Sequence, residues 1–362
     1  MADIYTVRCR SCGASVTYDA GRERLKCSYC GAEETIADSG APITEVDLEA
    51  ALRQAEAQRE AIEGHEVRTC RSCGAAIAYQ AARAKCDFCG AEAVEVTRLE
   101  QQPIRPQGVL PFSVTLESAK AAFQRWLKSL WFAPSDLAQR SRIDDLRGVY
   151  LPCWTFDAQV YAEWRAVPGY YRTRTERYYD ASTQSWKTRT VTYVEWGPPV
   201  SGQHRDFFDD LLVSAFQSLP TRYLDEVGGF ATPTDLRTYE PAYFLGWDVA
   251  LPDKPLREAW TEGHKRITEL TEAACKRAIP GDTYKDFSMR LHLSGLTTKL
   301  VYVPVYILAY RYGQKSYRVV IHGRSGVVGG DRPISWLKVA LLVLLIGAAI
   351  GALVYWLNLK SL

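Results

Sequence analysis

The rhythm of apolar and polar positions divides this 362-residue chain into unlike stretches. Residues 1–36 and 65–100 hold only short β-prone pieces, such as Ser15-Val16-Thr17-Tyr18 and Glu34-Thr35-Ile36. Units that small bury too little apolar surface to fold without help. Between them, 37–64, Leu48, Leu52, Ala55 and Ile62 make a thin stripe at helical spacing among acidic residues, with Thr44 and Asp47 at the start and Gly64 at the end. This predicts a linker helix that is either a solvated spacer or a partner-binding or self-associating surface. Pro103, Pro106, Gly108 and Pro111 then mark a boundary.

From 108 to 332 the chain is long enough for a real core. Leu116, Ala119, Phe123, Trp126, Leu127 and Leu130 share one face of a helix predicted over 115–132, ended by Pro134. A strand follows from Val149 to Ala158. Its Val-Tyr-x-Pro opening returns at Val301-Tyr302-Val303-Pro304, an offset of 152 that suggests two related β-rich halves. Aromatics alternating with Arg, Lys and Thr over 161–196 predict a hairpin turning at Asp180–Ser185. A long helix is predicted over 255–278, and a second hairpin closes the domain through 317–330.

The last rhythm is the absence of one. Residues 339–357 carry no charge, and as a helix they reach roughly 28 Å, about one hydrocarbon core. Trp336, Tyr355 and Trp356 lie at its ends, so 336–358 is predicted to cross a membrane once. Arg324, Arg332 and Lys338 precede the span and Lys360 alone follows it, which predicts cytoplasmic N-terminal domains and a tail-anchored topology. Gly347 and Gly351 form a G-x-x-x-G within the span, a candidate packing face for a homodimer or a membrane partner.

Composition adds little: apolar content is 47% and the net charge is +2, so global electrostatics name no partner. The cysteines add much more. Cys9, Cys12, Cys27 and Cys30 form two Cys-x-x-Cys-Gly turns 14 residues apart, and Cys70, Cys73, Cys86 and Cys89 form two more 12 residues apart. Four thiolates in two tight turns make a tetrahedral, closed site that is structural, not catalytic. The spacing is that of a zinc ribbon, written twice, and predicts two structural Zn2+ ions. The same sulfur set also suits a single iron. Disulfides and an isolated redox Cys-x-x-Cys fit the fourfold repetition less well.

Other chemistry is weaker. No phosphate loop, nucleophile elbow or H-E-x-x-H is present. His204-Arg-Asp206-Phe-Phe-Asp209-Asp210 is the densest titratable cluster, read chiefly as the capped start of a helix and otherwise as an acid–base site on the three Asp. His264, His292, His322, Cys153 and Cys275 read as structural. Each ribbon carries five basic and five acidic residues, so nucleic-acid binding is disfavoured there. The hairpin with Arg165, Arg172, Arg174, Arg177, Lys187 and Arg189 is the better cationic surface, suited to lipid headgroups or to cross-strand cation–π pairs.

Leu110-Pro111-Phe112, Trp131-Phe132-Ala133-Pro134-Ser135-Asp136-Leu137, Gly148–Ala158, Phe207–Val213, Gly246-Trp247 and Gly323–Gly329 follow one another in an order that resembles a family of bacterial zinc-ribbon membrane proteins. These are labelled TFIIB-type zinc-ribbon or primosomal-protein-N′-like (helicase-like), although this chain has no helicase motif. The resemblance covers 108–332 and the ribbons. It implies a non-enzymatic membrane component working beside phage-shock-protein-A-like or flotillin-like membrane-organising proteins. This chain departs from it in carrying two ribbons. The expected architecture is therefore two β zinc ribbons joined by an acidic helix, a β-rich antiparallel α+β domain and one C-terminal transmembrane helix. The expected role is a membrane adaptor whose ribbons bind protein partners, with a membrane-tethered nucleic-acid binder as the alternative.

Overall fold

The structure, a computed structural model, describes residues 7–36, 42–57, 65–71, 75–78, 86, 88, 94–99, 106–134, 137, 146–312 and 315–360. Cys73 and Cys89 lie outside these, as does the end of the linker helix. Strands β1 (Val16–Asp19), β2 (Arg24–Cys27) and β3 (Glu33–Glu34) form a small antiparallel sheet. The large sheet contains β4 (Val46–Asp47), β5 (His65–Cys70), β6 (Ala76–Ala78), β7 (Val94–Leu99), β8 (Gly108–Val109), β9 (Arg147–Asp180), β10 (Ser185–Trp196), β11 (Val200–Ser214), β12 (Arg237–Thr238), β13 (Asp248–Ala250), β14 (Thr283–Tyr312), β15 (Lys315–His322) and β16 (Val328–Gly330). The longer helices are α1 (Leu48–Ala57), α2 (Leu116–Ser129), α3 (Leu256–Arg277) and α4 (Trp336–Lys360). The β-rich antiparallel architecture read from the sequence is thus present.

The sheet is organised on β9 and β14, which run antiparallel with Leu151 opposite Val303. The two similar segments therefore pair with each other about a local dyad: Tyr150 faces Pro304, and Pro152 faces Tyr302. Each long strand also takes a short parallel neighbour at the same place in its motif. For β9 this is β13, at Val149 and Tyr150, and for β14 it is β8, at Val301 and Tyr302.

Proline in a central strand is normally excluded because it has no N–H to give the ladder. Here Pro152 O accepts from Ala215 and Pro304 O accepts from Gly323, both on the sides turned away from the β9–β14 pair. A residue's N and C=O point the same way in a strand, so both missing donors fall on those outer sides. There the outer partner changes, from β13 to β11 beside Pro152 and from β8 to β15 beside Pro304.

The unbroken apolar run of β9 is explained by cover on both faces. Tyr150, Tyr302, Tyr306 and Leu308 face a core completed by Ala119 and Phe123 of α2 and by Cys9, Val16, Tyr18, Leu25 and Cys27 of the first cysteine unit. Val149, Leu151, Cys153, Val301, Val303 and Val305 face a second core completed by Cys70, Ala75, Cys86 and Phe88 of the second unit. The two units thus cover opposite faces of the same strand pair. The second also joins the sheet itself, through β6 on β13.

The stripe of the linker helix meets its own domain. Leu48 is 2% exposed against Trp154 and Phe156, with Ala51 and Leu52 beside it. Asp47 Oδ1 caps α1 by accepting from Ala50 N at 2.9 Å. Helix α3 buries Leu256, Ala259, Gly263, Ile267, Thr271 and Cys275, one face at helical spacing. A Cβ on Gly263 would stand 2.8 Å from the Phe156 ring, so α3 rides on β9 at a glycine. Gly263→Val is expected to cost about 1–3 kcal/mol by overpacking, measurable as a lower denaturant midpoint.

Residues 204–210 correct a sequence expectation. They lie in β11, with 204–208 paired to β9 from Ala162 back to Ala158 and Asp209 and Asp210 in a bulge, and not at a helix start. Phe207, Phe208, Leu211 and Leu212 favour a strand, and β9 supplies the ladder that helical capping would otherwise replace. The hairpin of β9 and β10 is present with its turn between Asp180 and Ser185. Its guanidiniums are engaged within the ribbon: Arg174 lies over Tyr193, Arg189 over Tyr178 and Arg177 over Trp186, and Arg172 pairs with Glu195.

Candidate metal centre

Two hairpin knuckles build the first cysteine cluster. In each, the first Cys N–H bonds the carbonyl five residues on: Cys9 to Ala14 at 2.7 Å and Cys27 to Ala32 at 2.9 Å. Gly13 and Gly31 then donate back to Cys9 and Cys27, at φ of +75° and +74°, a region where a Cβ costs energy. The four sulfurs lie within 4.8 Å of one another, with Cys9 to Cys30 and Cys12 to Cys27 both at 3.6 Å. A zinc ion 2.3 Å from four tetrahedral sulfurs requires edges of about 3.8 Å. The donor set and spacing fit such an ion.

The electrostatics point the same way. Backbone N–H groups of Ser11 and Cys12 lower the Cys9 thiol to about 6, and those of Cys30 and Tyr29 lower Cys27. Cys12 receives the Ala14 N–H, yet its sulfur neighbours, Cys30 first, push it up to about 12. Four packed sulfurs cannot all ionise unaided, and a divalent cation removes that conflict.

The second unit repeats part of this construction. Cys70 N bonds Ala75 O at 2.9 Å, the same closure as in both knuckles of the first, and Cys70 and Cys86 are buried. Cys73 and Cys89 lie outside the described residues, so the second predicted ion has only this partial turn to support it.

The first unit is bolted to the large sheet on its inner side. Tyr18 N donates to Leu245 O at 2.8 Å, and Trp247 Nε1 donates to Tyr18 O at 3.1 Å. The Tyr18 hydroxyl donates to Phe112 O at 3.0 Å. Gly246 between them has φ of +85°, and a Cβ there would stand 2.9 Å from Thr17. The outer side differs: Arg10, Ser11, Cys12, Ser28 and Cys30 are exposed, and Tyr29 is 83% exposed.

A second constellation was not legible in the sequence. Glu45, just before α1, meets Asp157 of β9 and Asp210 of β11 with ligand atoms within 4.8 Å. Lys299 of β14 sits among them, 2.7 Å from Asp210 and 2.9 Å from Glu45. The hydroxyl of Thr297 lies 2.5 Å from Asp157 and 3.1 Å from Glu45, and Asp210 N donates to Asp157 at 2.7 Å. Both neighbours of β9 bulge here, β11 between Phe208 and Leu211 and β14 between Ser294 and Thr297. Asp210 takes φ of 55° in the first bulge, which turns its carboxylate inward. Asp206 and Asp209 are exposed, so the structure separates the three Asp that the sequence grouped. The ion network pins the linker to the sheet.

Burial raises Asp157 to about 6, with Glu45 adding to the rise. For Glu45, burial is the largest single influence and opposes ionisation, but the hydrogen bonds from Lys299, Asp157 and Thr297 and the Lys299 charge together outweigh it and the pKa is lowered. The folded state therefore holds the Asp157 proton more tightly than the unfolded chain does. That contribution is full below the unfolded value and is lost as pH rises through about 6. Asp157→Asn, which keeps a neutral group there, is expected to gain stability over the natural chain at pH 7.5 and to lose that advantage toward pH 5. Denaturant titrations at both pH values check the sign.

Of the isolated histidines, His322 is buried and bonded, whereas His264 and His292 are exposed; Cys153 and Cys275 are buried. His322 Nδ1 accepts from Arg324 and Ser325 N, its Nε2 faces Gly229 O at 2.8 Å, and its ring stacks on Phe230. Cys153 is buried, which raises its thiol pKa.

Fold and site together define a β-rich antiparallel protein with a four-cysteine cluster near its N-terminus. One C-terminal helix is long and apolar enough to cross a membrane, with no part of the 19-residue stretch Trp336–Val354 buried. The chain is similar to YdjG, an uncharacterized protein of Bacillus subtilis (strain 168), at 23% identity over 343 residues, 93% of this chain and 92% of that protein. No family model and no solved structure matches the chain.

Proposed function

We propose that the chain is a non-enzymatic, single-pass membrane adaptor whose metal-held knuckle presents a protein-binding tip on the cytoplasmic side. The observation that carries this reading is the two-sidedness of the first cysteine unit. Its inner side is fixed to the sheet through Tyr18, while Tyr29 stands 83% exposed and Arg10, which pairs with Glu34 at 3.0 Å, is exposed as well. Tyr and Arg are residue types enriched among interface anchors. Cys9, Cys12, Cys27 and Cys30 hold the tip's shape, and Cys70, Cys73, Cys86 and Cys89 would do the same on the opposite face. Gly347 and Gly351, each with open space where a Cβ would stand, would leave the span a close-packing face for a second copy.

The test is affinity purification of the full chain from native membranes, with and without nuclease, beside a Tyr29→Ala, Arg10→Ala variant. A protein partner that survives nuclease and binds the variant about tenfold or more weakly supports the adaptor. A partner retained equally by the variant removes the tip from the account. Recovery that depends on nucleic acid favours the tethered nucleic-acid binder instead.

A further inference from the structure

The turn that follows α2 is joined to the start of α4, although some 200 residues separate them in sequence. Ser335 N donates to Phe132 O at 2.7 Å, and Lys338 Nζ donates to Ala133 O at 2.6 Å and to Trp131 O at 3.3 Å. The turn is fixed from behind, because Phe123 and Ala133 are buried in the core and Trp126, Leu127 and Leu130 pack against it. Its outer side is apolar and bare. Trp131 is 79% exposed and Phe132 40%, beside Ile334 at 53% and Trp336 at 77%. Arg125 and Lys128 are exposed on the last turns of α2, and Arg332 just before α4.

Exposed rings occur elsewhere in the body, Trp186 and Phe207 among them, but Trp131 and Phe132 are held against the start of α4, where Ile334 and Trp336 are exposed as well. Water is a poor solvent for this corner and a membrane interface is a good one. Trp prefers the headgroup level, where its ring is half in hydrocarbon and its N–H is hydrated. Arg and Lys around it match anionic headgroups. The ladder of contacts to Ser335 and Lys338 sets the corner at the level where α4 begins.

We infer that Trp131 and Phe132 insert into the headgroup zone of the leaflet that α4 enters, giving the body a second attachment to the lipid surface. Two attachments fix the body's tilt on the bilayer, where a single span through a hinge would leave it free. This inference rests on α4 spanning a membrane.

The test uses the full chain reconstituted in vesicles of mixed phosphatidylcholine and phosphatidylglycerol. A benzophenone amino acid replaces, in separate chains, Trp131, Leu345 within the span, and Tyr29 at the distant knuckle tip; all three side chains are exposed, so the fold is little disturbed. On illumination, lipid adducts are expected at 131 and 345 and are absent at 29. Adducts at 345 with none at 131 overturn the corner and leave the span standing. No adduct at 345 overturns the span, and the corner with it. An adduct at 29 equal to that at 131 also overturns the inference, because the contact would then not be specific to the corner.

Discussion

Replacing Cys27 by Ser is expected to unfold far more than the first 36 residues. Cys27 is fully buried and belongs to the same core as Tyr150, Tyr302 and Tyr306. Structural zinc contributes about 10–16 kcal/mol to small finger peptides, and a whole domain is stable by only about 5–15 kcal/mol. A lost ligand therefore threatens the whole balance. The knuckle also delivers Tyr18, whose backbone and hydroxyl bind Leu245, Trp247 and Phe112. Hydrogen exchange reads the outcome. Protection should fall across 302–308 of β14 in the Cys27→Ser chain, and chelation of the natural chain should do the same. Loss confined to 7–36 would mean that the unit is an appendage.

The second large effect is expected at Lys299. Its side chain is 7% exposed between Asp210 and Glu45, and the Asp210 side chain is 1% exposed. Lys299→Met removes the only nearby cation that any described contact gives these carboxylates, leaving buried negative charge uncompensated. Breaking such a pair costs about 3–5 kcal/mol, whereas replacing all its members by apolar groups can be neutral. The double variant Lys299→Met, Asp210→Asn should therefore recover much of the loss, measured by denaturant unfolding at pH 7.5. A single variant as stable as the natural chain would show that the network is not closed in solution. The linker should also loosen in Lys299→Met, because Glu45 is held there.

Much of this architecture could be read locally. The Cys-x-x-Cys-Gly turns, the two hairpins, α2, α3 and the apolar C-terminal helix all announce themselves within a dozen or so residues, because their signals are spacing and period. What could not be read is long-range. Nothing near Leu48 says that its stripe is met by Trp154 and Phe156, and nothing near residue 204 says that β9 is waiting to pair with it. The repeated Val-Tyr-x-Pro hinted at two related segments, but not that they pair with each other. The carboxylate network was hidden for the same reason: Glu45, Asp157, Asp210 and Lys299 come from four distant places and meet through two bulges that leave no strong sequence signature. Charge balance in the cysteine units was legible, but which side of each faces the core was not.

A metal held by Cys9, Cys12, Cys27 and Cys30 is the central claim. The most direct measurement is elemental analysis of the full chain purified from membranes without added metal, beside the Cys27→Ser chain. Zinc bound by the natural chain and a loss of at least one equivalent in the variant are expected. Equal zinc in both chains, or none in the natural one, would contradict the claim, and iron in place of zinc would keep the site but change its occupant.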